Sequence, residues 1–382
     1  MAGPLSGIKI IELAGVGPAP YACMLLADAG AEVLCIDRPG GALTPSPSRF
    51  RVERRSRQSV GVNLKDPRGV ELVRELAEVA DAFVEPFRPG VAERLGLGPT
   101  VLLERNPALV YGRMTGWGQE GLMAERAGHD INYTALSGAL WGMGRADEVP
   151  APPLNLVADF GGGGMLLAFG MTAALLEARG SGQGQVVDAA MIDGVASMMH
   201  LTYGMRASGA WSSERGSNLL DSGAPFYDVY ETSDGGYMAA GAVEPQFYAL
   251  LLERLGLDPD ELPDQFDKSS WPAMKDRFKA LFRSKTRAAW EDVFDGSDAC
   301  VVPVLSIDEA PEHPFNAERH VYVEEDGVVQ PGPVPRFSRT AAVISKTPSA
   351  PGEDTRAALA AWGIDEGIVE QLLEHGALFT RG

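Results

Sequence analysis

Apolar and polar positions keep two rhythms along the first two hundred residues. GIKIIELAG (7–15) is a short apolar run, the pattern of a strand buried on both faces. A Gly/Pro-rich turn follows, then the apolar stretch YACMLLADAG (21–30), predicted helical, and a second strand, AEVLCIDRPG (31–40). Strand, helix and strand within about forty residues make a βαβ unit. The pattern recurs: DPRGVELVRELAEVA is amphipathic with an Asp-Pro start, DAFVE is strand-like, VLLERNPA is helical and LVYGRMTGWG is strand-like again. This predicts an α/β fold, a parallel sheet with helices on both faces.

The run from 161 to 179 opens on GGGG and continues MLLAFGMTAALLEAR, which predicts a buried helix with a flexible entry. Near Ala224 the texture changes. YDVYET, the turn SDGG and YMAAGAV predict a hairpin; PQFYALLLERLG and two stretches between Trp271 and Phe294 are helical, and ACVVPVL is strand-like. The expected organisation is a large α/β domain over 1–190, rejoined by 336–382, and a smaller α+β domain over 225–320, with linkers at 191–224 and 321–335. No window approaches the length of a membrane span, and no internal repeat is present.

Composition narrows the function. With 52 acidic and 33 basic residues the formal charge is −19, which argues against broad binding to nucleic acid or an anionic membrane. An anionic ligand must find a local basic patch. Cys23, Cys35 and Cys300 lack metal-type spacing and read as thiols of a reducing compartment. The N-terminus shows no basic stretch leading into an apolar run, and LFTRG is no peroxisomal address. The expectation is a soluble cytoplasmic protein.

RFRVERRSR, from Arg49 to Arg57, holds five arginines in nine residues. Such a block is an anion site or a solvated face. Arg38 closes the second strand and Arg88 lies just past another, where open α/β sheets place their ligands, so a multiply phosphorylated small ligand is favoured. The turn GVGPAP has Pro20 where the dinucleotide fingerprint wants its third small residue, so it reads as a tight βα turn. Asp159 precedes the glycine run: it caps the helix, or it works beside backbone that a substrate can approach. Glu244 stands before Pro245 at another helix start. His129, in AGHDINY, is one of five histidines; a general base, a metal ligand and an ordinary polar side chain are all open to it. Zinc lacks a second ligand at suitable spacing. A histidine, two carboxylates and an arginine-rich edge suit proton transfer on a substrate with a phosphorylated handle.

The strings MAGPLSGIKIIELAGVGPAP, FRPGVAERLGLGP, MTGWGQ, AGHDINYTALSG, PPLNLVADFGGGG, GQGQVVDAAM, GAPFYDVYET, GAVEPQFY and SDACVVPVL resemble the α-methylacyl-CoA racemases of the family III CoA-transferase superfamily. The resemblance implies an interlocked homodimer with a Rossmann-like large domain and a small domain, the active site lying between the large domain of one subunit and the small domain of the other. It implies that His129, oriented by Glu244, and Asp159 face opposite sides of the substrate α-carbon, with the backbone N–H of Asp130 holding the oxyanion. Coenzyme A contacts map onto Arg38, onto Arg54 and Arg55 of the strip, onto Val62, Leu64 and Lys65 of VGVNLK, and onto Arg88 and Arg94. RRSRQS and Asn63 depart from the usual family pattern. The expected reaction is epimerisation of 2-methylacyl-CoA thioesters without metal or redox cofactor, coenzyme A being part of the substrate. The alternatives are a CoA transferase with Asp159 as nucleophile and a non-catalytic acyl-CoA-binding protein.

Overall fold

The computed structural model describes residues 3–40 and 47–381; the first two residues of the matched N-terminal string and the last of LFTRG fall outside them. The chain divides into two compact units, one of Met1–Ser137, Pro153–Met198 and Arg319–Gly382, the other of Gly138–Pro152 and Met199–Glu318.

In the first unit, β1 (Lys9–Leu13), β2 (Glu32–Asp37), β3 (Gln58–Val62), β4 (Ala82–Glu85), β5 (Val110–Thr115) and β6 (Val186–Ala190) form a parallel sheet in the order β3-β2-β1-β4-β5-β6. That is the Rossmann order, and its direction reverses between β1 and β4. Helices α1 (Pro18–Asp28), α2 (Pro67–Glu78), α3 (Val91–Arg94) and α4 (Pro99–Arg105) follow the early strands. Three of them, α1, α2 and α4, have proline at the start, where its missing N–H costs nothing. The sheet core holds Ile11, Leu34, Val60, Phe83 and Tyr111, all fully buried.

After β5 the chain forms α5 (Asp130–Leu136), a π-helical segment (Leu156–Met165) running into α6 (Leu166–Ser181), and α7 (Met191–Met198). The π segment and α6 make one continuous helical run of 26 residues, long and apolar enough by length and composition to cross a membrane. The sequence reading, which began this helix at residue 161, missed that length and is corrected. Within the fold the run packs on α1 and α7. A Cβ on Gly194 of α7 would stand 1.8 Å from the Gly162 carbonyl oxygen, one on Gly163 2.9 Å from Pro18 Cβ, and one on Gly164 2.6 Å from the Tyr21 ring. The glycine run therefore serves close helix packing.

The second unit contains α8 (His200–Ala207), an antiparallel sheet of β7 (Tyr227–Glu231), β8 (Tyr237–Gly241) and β9 (Val301–Pro303), and helices α9 (Pro245–Leu255), α10 (Trp271–Phe282), α11 (Arg287–Phe294) and α12 (Pro314–Glu318). Phe226, Tyr230, Trp271, Phe278, Phe282 and Trp290 fill its core. Residues 138–152 and 199–224 count with this unit, whereas the sequence reading gave the first to the large domain and the second to a linker. The ties are polar, so hydrophobic rhythm could not show them: Trp141 Nε1 donates to the Ser213 carbonyl at 3.0 Å, and Arg145 pairs with buried Asp228.

The chain then returns to the first unit through a hairpin of β10 (Tyr322–Glu325) and β11 (Val328–Pro331), helices α13 (Thr355–Ala361) and α14 (Glu366–Glu374), and β12 (Leu378–Phe379), which pairs antiparallel with β3. Residues 321–335 thus belong to the first unit rather than to a linker.

Candidate active site

At the carboxyl ends of β1 to β4 a cleft of about 620 Å³ opens at the point where strand order reverses. The loops after β1 and β4 meet there. A Cβ at Gly15 would lie 2.6 Å from Pro86 Cγ, so only glycine permits the approach. Phe87, Leu64 and Leu95 give the cleft apolar walls, and Arg38 and Lys65 line it as exposed cations. Arg88 and Arg94 are exposed on the segment after β4. Among the described residues none of these four cations is in an ion pair.

The arginine strip behaves otherwise. Arg54 reaches the cleft, but its Nη1 donates to Asp37 Oδ1 at 3.0 Å and its Nη2 to Oδ2 of the same carboxylate. Arg55 does not line the cleft. It is 2% exposed and donates to Asp28 Oδ2 at 3.0 and 2.7 Å, to Gln330 at 2.9 Å and to the Pro331 carbonyl at 2.6 Å. Arg57 pairs with buried Glu12, and Arg51 with Glu53 at 3.0 Å. Val62 is buried in β3 beneath the cleft rather than in its lining. For the strip, the expectation of arginines converging on a ligand is corrected: carboxylates of this unit hold Arg51, Arg54, Arg55 and Arg57. Glu85, at the end of β4, accepts from the Phe87 N–H at 2.7 Å and from Arg113 Nε at 3.0 Å; burial pushes its carboxyl up to about 7 against both contacts.

His129, Asp130 and Asp159 come together in the first unit. His129 enters α5 in extended conformation as its N-cap, with its own N–H donated to Asn132 Oδ1 at 3.0 Å. This reciprocal cap fixes the backbone and leaves the imidazole exposed. Asp130 is buried, and its Oδ2 accepts the N–H groups of Ala158 (2.6 Å) and Asp159 (2.8 Å) while Oδ1 accepts from Thr134 Oγ1 at 3.2 Å. Its carboxylate is therefore an anchor between α5 and the π segment. The Asp130 backbone N–H, in the first turn of α5, has no acceptor among the described residues.

Asp159 is half-buried in the π segment. Asn155 Nδ2 donates to its Oδ2 at 3.3 Å, and a Cβ on Gly17 would come within 3.4 Å of the same oxygen. Burial pushes the Asp159 carboxyl up; Asn155 opposes this, the Asp130 charge adds to it, and His129 pulls it back. The His129 effect puts the two groups in each other's field. Glu244 stands on the second unit, exposed, as the N-cap residue of α9, with the Cys300 thiol in its field. Sequence reasoning missed Asn155, four residues before Asp159, which the i, i+4 spacing could have flagged.

The CoA-transferase family III profile matches residues 5–355. The chain belongs to CoA-transferase family III. Within the family, it is 46% identical to the alpha-methylacyl-CoA racemase of Mus musculus over 370 residues and 45% identical to that of Homo sapiens over 372, in both cases across 96% of each chain. Of the solved structures, Rv3272 of Mycobacterium tuberculosis is similar with a TM-score of 0.78 and 27% identity, covering 93% of this chain and 98% of that one. The Rossmann-ordered sheet and the cleft at its reversal are thus features of a family III chain.

Proposed function

We propose that this family III chain is an α-methylacyl-CoA racemase, interconverting the (2R)- and (2S)-epimers of 2-methylacyl-CoA thioesters by 1,1-proton transfer. The observation that carries the proposal is the meeting of an exposed imidazole, His129, with a half-buried carboxylate, Asp159, in a chain similar from end to end to two racemases. A thioester α-proton is weakly acidic, so its removal needs well-matched bases and stabilisation of the enolate. A carboxylate pushed up by burial is a stronger base than an exposed one. In one direction Asp159 takes the proton from one face of the α-carbon, the enolate oxygen accepts the Asp130 N–H, and His129 returns a proton to the other face; in the reverse direction the roles exchange.

Coenzyme A lies in the cleft in this reading, with Arg38, Lys65, Arg88 and Arg94 toward its phosphates and Phe87 and Leu64 beside its ring. Binding energy from this remote handle holds the α-carbon between the two bases. No metal or redox cofactor is required. Glu244 orients His129 from a partner chain, which makes the enzyme an obligate interlocked homodimer. Supporting this, Met165, Phe169 and Leu176 lie along one side of the long helix at 51, 73 and 74% exposure, an apolar stripe of the kind that a partner covers. The compartment is the cytoplasm.

The test is incubation of wild type with one pure epimer of a 2-methylacyl-CoA in deuterated water. The epimers should equilibrate while deuterium enters the α-carbon. Acyl-Asp159 trapped by hydroxylamine, with acyl transfer between CoA acceptors and no α-deuterium, would overturn the reading in favour of a transferase. Binding with neither reaction would leave a carrier of acyl-CoA.

A further inference from the structure

Resting on the reading that places coenzyme A in the cleft, we propose that Glu85 is a positioning residue for that ligand: its carboxylate holds the N–H of Phe87 and so sets the course of the segment that carries Phe87, Arg88 and Arg94. Glu85 is the last residue of β4 and is fully buried. Its Oε2 accepts the Phe87 N–H at 2.7 Å, a bond that spans two residues and fixes the turn as the chain leaves the strand. Its Oε1 accepts from Arg113 Nε at 3.0 Å. Glu85 and Arg113 are register partners on β4 and β5, so their side chains share one face of the sheet. Arg113 Nη2 in turn donates to Glu93 Oε1 of α3 at 2.8 Å. The segment is thus tied to the sheet at Phe87 and again at Glu93. Arg88 lies between the two ties, and Arg94 follows the second directly.

Packing confines the same segment. Pro86 and Phe87 line the cleft, Pro86 abuts Gly15, and a Cβ on Gly98 would stand 2.9 Å from Glu93 Cγ. Arg88 and Arg94 are exposed, so the course of the backbone decides where they stand. An apolar residue at 85 would serve the core as well, because a buried ion pair adds little stability over a well-packed apolar pair. It would leave the Phe87 N–H without its acceptor. Burial pushes the Glu85 carboxyl up to about 7, so at neutral pH it is only part-ionised. A protonated carboxyl still offers Phe87 its carbonyl oxygen.

The experiment separates the acceptor from the charge. Glu85→Gln keeps an oxygen for Phe87 and loses the charge, whereas Glu85→Met keeps the length and loses both; Arg113 retains Glu93 in either variant. Calorimetric titration with coenzyme A should show binding about tenfold weaker in Glu85→Met and within about threefold of wild type in Glu85→Gln. In epimerisation, KM for a 2-methylacyl-CoA should rise in Glu85→Met while kcat stays in place, because His129 and Asp159 are untouched. If Glu85→Met does not fold, Glu85→Met/Arg113→Met, an apolar pair, carries the same test. Wild-type affinity in the methionine variant, or an equal loss in Glu85→Gln and Glu85→Met, overturns the proposal and leaves the cleft reading intact. Absence of coenzyme A binding by the wild type would instead sink both.

Discussion

The first unit carries two clusters of charge and uses them in opposite ways. In the arginine strip, Arg54, Arg55 and Arg57 are 6, 2 and 3% exposed, and each is paired with a carboxylate of Asp37, Asp28 or Glu12. At the other cluster, the His129 imidazole is exposed, and the Asp159 carboxylate has one hydrogen bond, of 3.3 Å, and no ion pair among the described residues. A charge neutralised inside the fold holds distant segments together and is lost to a ligand. A charge left with one weak partner can exchange a proton. Density of charge in the sequence marked the first cluster more strongly; burial and pairing give the second its chemistry.

The largest effect that could break this contrast comes from the strip. Asp28→Ala leaves the Arg55 guanidinium buried without its counter-ion, and such a change costs about 3–5 kcal/mol. Urea unfolding should show that loss, while the folded fraction binds coenzyme A as before. Unchanged stability with collapsed binding would mean that the strip is a ligand grip after all.

A smaller effect sharpens the contrast from the side of the cleft. Arg38→Ala and Lys65→Ala should each weaken coenzyme A binding about tenfold, with little change in unfolding midpoint because both side chains are exposed. Added salt should weaken wild-type binding, since exposed charges are screened. Titration calorimetry of both variants with coenzyme A and its dephospho form would show which phosphate each cation meets. Unaltered affinity in both variants removes them from the site.

Glu85 stands between the two cases, buried and paired with Arg113 but pushed up to about 7. Its folded value lies above the ordinary 4.5, so the folded form keeps a proton that the unfolded chain releases. The contribution is complete below the ordinary glutamate range and is lost as pH rises toward 7. Glu85→Gln should flatten the decline in stability between about pH 4.5 and 7 by on the order of 3 kcal/mol. A decline of equal size in the variant would assign that pH dependence to other groups.

Much of this unit was legible in the sequence. The strands GIKIIELAG and DAFVE and the amphipathic helix after Asp66 follow from local rhythm, and the structure places β1, β4 and α2 there. The role of the strip was not legible, because the carboxylates that hold it lie 17 to 45 residues away in sequence and only the folded sheet brings them close. The same limit hid the second unit's hold on 138–152, which depends on an ion pair and side-chain hydrogen bonds to carbonyls from distant parts of the chain. At the site, AGHDINY and NLVADF gave His129 and Asp159, but Asp130 as an anchor required the contact between α5 and the π segment.

The central claim is that His129 and Asp159 serve opposite faces of one α-carbon, and it is tested most directly by face-specific deuterium exchange. Each pure epimer of a 2-methylacyl-CoA is given in deuterated water to His129→Ala and to Asp159→Ala. Epimerisation should fall by roughly 10²–10⁴ in both directions with either variant, because each base is the acid of the opposite direction. Exchange without inversion should persist slowly for one epimer in His129→Ala, through Asp159, and for the other epimer in Asp159→Ala, through His129. Full epimerisation by His129→Ala, or exchange confined to the same epimer in both variants, would contradict the account.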